Sequence, residues 1–145
     1  MDGIDTDVIG CLLRDGRATY AEIGAEVGLS APAVKRRVDR LRETGAIRGF
    51  TAVVDPQVLG WATEAYVEVY CKGTVAPAEL RRSLERVPEV VGACTVSGSA
   101  DALLHMLATD ISQLERAIER VRDERNVDHT RSVIVLSRLL DRPRS

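Results

Sequence analysis

Thr19–Gly45, TYAEIGAEVGLSAPAVKRRVDRLRETG, is the stretch whose reading decides how the N-terminal part of this chain folds. Thr19 and Glu22 have the spacing of a capping box, in which the hydroxyl bonds the N3 amide and the carboxylate reaches back to the cap amide. A short helix follows, with Ile23 and Val27 one turn apart on its inward face. Gly28 supplies the left-handed residue that ends it. Ser30 caps a second helix with Pro32 in its first turn, where the missing amide costs little. Val34, Val38 and Leu41 form the buried stripe of that helix, and Gly45 stops it. Two short helices joined by a glycine turn make a helix-turn-helix, whose second helix can enter a DNA major groove.

On the wheel of the second helix, Pro32, Ala33, Arg36, Arg40 and Glu43 fall opposite the apolar stripe, and Arg37 flanks it. Small residues let a helix end approach base edges, while guanidinium groups bond guanine or clamp phosphate. The candidate DNA contacts are therefore Ser30, Ala31, Pro32, Ala33, Lys35, Arg36, Arg37, Arg40 and Arg42. Arg36, Arg37 and Arg40 are the candidates for base or phosphate, and Lys35 and Arg42 for phosphate. From Ser30 to Phe50 six basic residues, Arg48 being the last, face two acids, Asp39 and Glu43. A basic run alone reads equally well as a solvated helix face. Both caps, the glycine turn and the buried triplet in one register favour DNA.

The 145 residues allow one medium domain or two small ones, and an apolar share of 45% with 29% charged excludes a disordered chain. A net charge of −2 means that DNA affinity must rest on the local patch and on multivalency. No signal-peptide pattern and no membrane-length apolar run is present, so a cytoplasmic protein is expected. Cys11, Cys71 and Cys94 lie scattered in apolar patterns and read as buried free thiols. No metal-ligand spacing, phosphate-cradling glycine loop or nucleophile-base arrangement is evident, so no catalytic residue, metal or cofactor is assigned.

Ahead of the helix pair, Asp5 reads as the cap of a first helix, with Ile4 and Ile9 as a hydrophobic staple and Val8, Ile9, Leu12 and Leu13 as its apolar stripe. Asp15-Gly16-Arg17 breaks it, so residues 4–45 predict a three-helix bundle. Ile47–Asp55, IRGFTAVVD, reads as a strand able to act as a wing or strap, and Asp55-Pro56 and Leu59-Gly60 close a linker. The expected division is 1–50 for the helix-turn-helix domain, 51–60 for strand and linker, and 61–145 for a second domain.

From Trp61 the period changes to two. Ala65, Val67, Val69 and Cys71 face one way, and Glu64, Tyr66, Glu68 and Tyr70 the other. Pro77 opens a helix that buries Leu80, Leu84 and Val87, and Pro88 prevents its continuation. Val90–Ser97 and Ala102–Thr109 read as strands around the turn SGSAD. Asp110 caps a helix with Gln113 at the box position and Ile111, Leu114, Ile118 and Val121 as its inner stripe. Val127–Ser137 holds a last strand with RSVIVLS as its core, before a charged tail expected to fray beyond Leu140. The predicted class is α+β: a winged-helix-like helix-turn-helix domain followed by a ferredoxin-like βαββαβ domain. Two helices cover one face of such a sheet. Tyr66 and Tyr70 lie on the other, which a second subunit is expected to cover.

Over about residues 4–140 the chain resembles the Lrp/AsnC (feast/famine) transcriptional regulators. The resemblance rests on DGRATYAEIGAEVGLS, on VKRRVDRLRETGAIRGFTAVVDPQVLG and on VSGSAD, the second being the most specific. It implies an N-terminal DNA-binding helix-turn-helix and a C-terminal effector-sensing domain of the RAM/AsnC type. It also implies sheet-to-sheet dimers that assemble further, up to octamers, and amino-acid effectors held at subunit interfaces near a Gly-x-x-Asp turn. That turn maps here onto Gly98 and Asp101, with Ser97, Ser99 and Ala100 completing it. Its amides could bond a carboxylate and Asp101 an α-ammonium group; a tight hairpin turn with a satisfied Asp is the alternative. An aromatic commonly neighbours that Asp, whereas Ala100 and Ala102 stand here, which leaves room for a bulkier effector or none at all.

The resemblance therefore implies a sequence-specific regulator whose partners are double-stranded DNA, copies of itself and a small-molecule effector, with no membrane. One rival is a haem-pathway (sirohaem-type) decarboxylase of similar architecture, for which His105 and His129 would be the histidines. A decarboxylase gains nothing from a capped, arginine-rich helix. Another rival is a low-specificity architectural protein that coats DNA.

Overall fold

A capping box starts the chain's first helix, α1 (Gly3–Arg14), but its cap is Asp2. The Asp2 side chain accepts from the Asp5 amide at 2.8 Å, and the Asp5 carboxylate accepts from the Asp2 amide at 3.1 Å. Asp5 is thus the reciprocal N3 residue, not the expected cap, because the D-x-x-D spacing satisfies two amides where Asp5 alone would satisfy one. The α1 stripe is also rotated from expectation: Val8 and Cys11 are buried, and Leu13 is 46% exposed.

α2 (Tyr20–Val27) and α3 (Ala31–Glu43) follow the caps read from their sequence. Thr19 and Glu22 close a capping box, Gly28 takes φ 77°, and Ser30 accepts from the Ala33 amide. Val34, Val38 and Leu41 are buried, and the bundle core joins Val8, Cys11, Ile23, Val34 and Val38. Buried Gly24 lets the turn approach α2 closely, since a Cβ there would stand 2.3 Å from the Leu29 carbonyl oxygen.

The computed structural model describes residues 1–142. These divide into two compact units: Met1–Val53, with Leu140 and the described residues after it, and Val54–Leu139. Ile47–Asp55 does not form the expected strand. A strand needs a neighbouring strand for its amides and carbonyls, and none among the described residues pairs with this stretch. Asp55 then caps a single 3₁₀ turn, Pro56–Leu59, closed by left-handed Gly60.

The second unit is an antiparallel sheet of β1 (Thr63–Cys71), β2 (Val90–Thr95), β3 (Ala102–Ala108) and β4 (Val127–Ile134) in the order β2-β3-β1-β4. Helices α4 (Pro77–Glu85) and α5 (Ile111–Arg122) lie in the βαββαβ connections. Ala65, Val67 and Val69 of β1 and Leu104 and Met106 of β3 are fully buried against Leu80, Leu84, Leu114, Ala117, Ile118 and Val121. Ile111 departs from the expected inner stripe and is 54% exposed, being the first residue after the Asp110 cap. β4 stops at Ile134, short of the expected Ser137, because its partner Ala65 lies near the start of β1 and little ladder remains. Of the cysteines, which are free, only Cys11 is buried; Cys71 is half-buried and Cys94 exposed on an edge strand, against the expectation for both. The expected fraying of the tail falls in part on residues 143–145, outside the described residues.

Candidate nucleic-acid interface and effector turn

Ion pairing divides the cations of α3 into two groups. On one side Arg37 and Arg40 turn toward the start of α1. Arg37 Nη1 donates to Asp2 at 2.9 and 3.0 Å and to Asp5 Oδ1 at 2.9 Å, and Arg40 Nη2 donates to both Asp5 oxygens at 3.1 and 3.2 Å. Asp5 is 1% exposed, while Arg40 remains exposed. The Arg37 guanidinium, helped by the Asp2 amide, holds the Asp5 carboxyl below the usual carboxylate range. The Asp5 amide and then Arg37 do the same for Asp2, and both acids raise Arg37.

On the other side Arg36 is exposed and carries no hydrogen bond or ion pair among the described residues. Lys35 donates to Asp39 at 2.6 Å, an exposed pair one turn apart, and is raised by that bond. Arg42 lies over the Phe50 ring, 5.8 Å from its centroid. Ahead of them Ser30 ends its side chain on the Ala33 amide, with Ala31 and Ala33 half-buried and Pro32 exposed. The expected contacts are all on α3 or its cap, but among the described residues only Arg37 and Arg40 of them are bonded to the start of α1, which leaves Arg36, Lys35, Arg42 and the N-terminal turn without such a bond. The pairing of Arg37 and Arg40 was not foreseen; its only signal is the D-x-x-D box, which read instead as a lone cap with a staple.

The turn Ser97–Asp101 joins β2 to β3, with Gly98 at φ 104°. Asp101 anchors it to the neighbouring strand: its amide donates to the Val69 carbonyl at 2.9 Å, and its Oδ2 accepts from the Cys71 amide at 2.7 Å. That bond engages the Cys71 amide beyond Val69 and Ala102, the last pair between β1 and β3. The nearby carboxylate and burial push the Cys71 thiol up, burial being the larger cause. The amides of Gly98 and Ser99 carry no hydrogen bond among the described residues. Ala100 and Ala102 are buried, so their small size serves packing under the turn. Thr95 and Ala102, which flank the turn, also line an apolar groove under α4, with Leu80, Leu84, Val90 and Ala93.

Both histidines lie on the open sheet face. His105 stacks on Tyr66 (centroids 4.9 Å apart) and its Nε2 lies 2.6 Å from Glu64. His129 stacks on Tyr70 at 4.2 Å and its Nδ1 lies 2.8 Å from Asp128. Each is thus engaged with its own strand neighbours. No group of three or more His, Cys, Asp or Glu among the described residues is placed to hold a metal ion. No described helix is long and apolar enough to cross a membrane.

Comparison with known proteins matches both units. Residues 1–42 fit the AsnC-type helix-turn-helix domain, and residues 64–145 the Lrp/AsnC ligand binding domain. The chain is 53% identical over 142 residues to the HTH-type transcriptional regulator Rv2324 of Mycobacterium tuberculosis, covering 98% of this chain and 96% of that one. It is 34% identical to the leucine-responsive regulatory protein of Rhizobium meliloti, covering 97% and 92%. Among solved structures, the feast or famine regulatory protein Rv3291c of M. tuberculosis, complexed with L-methionine, superposes with a TM-score of 0.91 at 31% identity over 99% of this chain and 97% of that one.

Proposed function

The chain belongs to the Lrp/AsnC family of DNA-binding transcriptional regulators, and from that premise we propose that it reads a specific operator through Arg36 and answers to an amino-acid effector. The observation that carries the reading is the exposed Arg36, unpaired among the described residues, on a helix whose first turn is capped by Ser30 and built from small residues. Arg36 has the geometry for a bidentate bond to guanine. Lys35 and Arg42 reach phosphate, and the amides behind Ser30 meet a phosphate at the helix end. The exposed Lys35–Asp39 pair gives way easily, since a solvated pair contributes little.

Two helices, one from each subunit of a dimer, enter successive major grooves of an imperfect palindrome about one helical turn apart. The open sheet face supports such a pairing, for it presents Tyr66, Tyr70 and the 65%-exposed Val133 on one surface. Higher assemblies, an octamer among them, take a second contact between dimers, since a two-fold sheet contact closes at two subunits. At the Ser97–Asp101 turn, the unbonded amides of Gly98 and Ser99 suit a carboxylate, the second oxygen of Asp101 suits an ammonium group, and the groove under α4 suits an apolar side chain. An effector held there shifts the assembly toward the geometry it binds better, and with it the spacing of the DNA heads. The reading places the protein in the cytoplasm and needs no cofactor.

The test is retention of genomic fragments by the purified protein, with and without a panel of amino acids. A reproducible set of fragments, displaced or gained with one amino acid, is the expected result. Arg36→Ala should cost about 1–3 kcal/mol on retained fragments and little on others. Equal weakening on every duplex would demote Arg36 to a phosphate contact.

A further inference from the structure

We infer that Asp2 and Asp5 set the DNA specificity ratio of α3 by keeping Arg37 and Arg40 out of the phosphate-contacting set. The inference rests on the reading of α3 as the DNA-binding helix. α3 carries five cations (Lys35, Arg36, Arg37, Arg40 and Arg42) against two carboxylates, Asp39 and Glu43. Asp2 and Asp5 neutralise two of the five, so the excess of positive charge on this element falls from three to one. Non-specific affinity grows with the number of phosphates neutralised, whereas direct readout depends on the few side chains aimed at base edges. Withholding two guanidinium groups therefore lowers background binding more than it lowers operator binding.

The clamp is built to hold against phosphate. Its central carboxylate is 1% exposed, so salt screens it less than it screens Lys35–Asp39. Pulling both arginines away would strip the Asp5 carboxylate of both its cations and leave it the Asp2 amide, which is unfavourable. The two acids are also the reciprocal halves of the α1 capping box, so the start of α1 fixes where they stand. Asp5 and Asp2 act through the arginines, and their role is positioning. Arg37, only 23% exposed, touches both acids, while Arg40 is 58% exposed and touches Asp5 alone, so Arg40 is the one freed first.

The full chain is titrated onto a duplex of random sequence and onto a retained genomic fragment across a salt series. The proteins compared are wild type, Asp5→Asn, Asp2→Asn, Arg40→Gln and Asp5→Asn/Arg40→Gln. Asn keeps a cap acceptor while removing the charge. For each released cation the salt slope on random duplex should steepen by about 0.9, which is about 3.5-fold more affinity gained per fourfold dilution of salt. Asp5→Asn should show this gain, with a smaller gain on the genomic fragment, and Asp2→Asn should show it in part. Arg40→Gln alone should leave the slope unchanged, and the double variant should fall back toward wild type. Loss of a merely structural contact would lower both affinities and move no slope. An unchanged slope in Asp2→Asn and in folded Asp5→Asn overturns the inference while the DNA-binding reading stands. If Asp5→Asn does not fold, the Asp2→Asn slope decides alone. A wild-type protein with no salt-dependent DNA affinity overturns both.

Discussion

Gly24→Ala should push the turn away from α2, carrying the start of α3 with it, and thereby test the geometry on which DNA reading depends. Gly24 is buried in α2, and a Cβ on it would stand 2.3 Å from the Leu29 carbonyl oxygen and 3.2 Å from the Leu29 carbonyl carbon. That is about 1 Å short of an ordinary carbon–oxygen contact. The obstacle is backbone, so it cannot rotate aside. Nor can α2 back away freely, because the Gly24 carbonyl accepts from the Gly28 amide at 2.8 Å and from the Leu29 amide at 2.9 Å. Overpacking of this kind costs about 1–3 kcal/mol, and alanine's better helix propensity returns up to about 1 kcal/mol; with a backbone obstacle the cost lies toward the upper end, leaving a net loss of about 2 kcal/mol. In a domain of 60–100 residues each kcal/mol lowers Tm by about 4–8 °C.

Gly10→Ala supplies the contrast. Its Cβ would meet only the Arg14 guanidinium at 3.8 Å, an ordinary contact at the end of a flexible side chain, so the same substitution should stabilise by about 0.5–1 kcal/mol. Thermal unfolding followed by far-ultraviolet circular dichroism reads both signs, and fragment retention reads the displacement of α3. Were Gly24→Ala to melt at or above the wild-type temperature with retention intact, the close approach of turn and helix would be refuted.

At the effector turn, Asp101→Ala removes the acceptor of the Cys71 amide and should cost about 1–2 kcal/mol, measured by urea unfolding. Asp101→Asn keeps an acceptor oxygen but loses the charge, so it should fold like wild type and lose the amino-acid response of fragment retention; an unchanged response would remove Asp101 from the effector site. The depressed carboxyls of Asp2 and Asp5 add stability that is fully present above the ordinary carboxylate range and is lost as pH falls through their folded values. Tm should therefore drop on acidification below about pH 4, and Asp5→Asn, already weaker at neutral pH, should show a shallower drop there. An equal acid slope in the two proteins would count against the clamp.

Local signals carried much of the fold. Thr19, Glu22, Gly28 and Ser30 act within one turn of themselves, so spacing alone places both helices of the motif. The alternation from Ala65 to Val69 likewise needs only a covered face to become a strand, and the period of two says which face. Ile47–Asp55 also reads as a strand but pairs with no strand among the described residues, and pairing is a property of two segments that one cannot announce. Cys94 fits an apolar pattern, yet the strand order puts β2 at an edge and leaves that thiol exposed.

The candidate site divides in the same way. The sequence by itself determined which residues α3 turns outward, because helical angle follows from residue number. Only the tertiary structure decided which of those cations are free, because Asp2 and Asp5 lie more than thirty residues away and meet Arg37 and Arg40 through the packing of α1 on α3. Asp101 is a turn residue on local grounds; its bond to the Cys71 amide exists because the sheet lays β1 beside the hairpin. Charge and periodicity are written along the chain, whereas the pairing of charges depends on distances that folding alone creates.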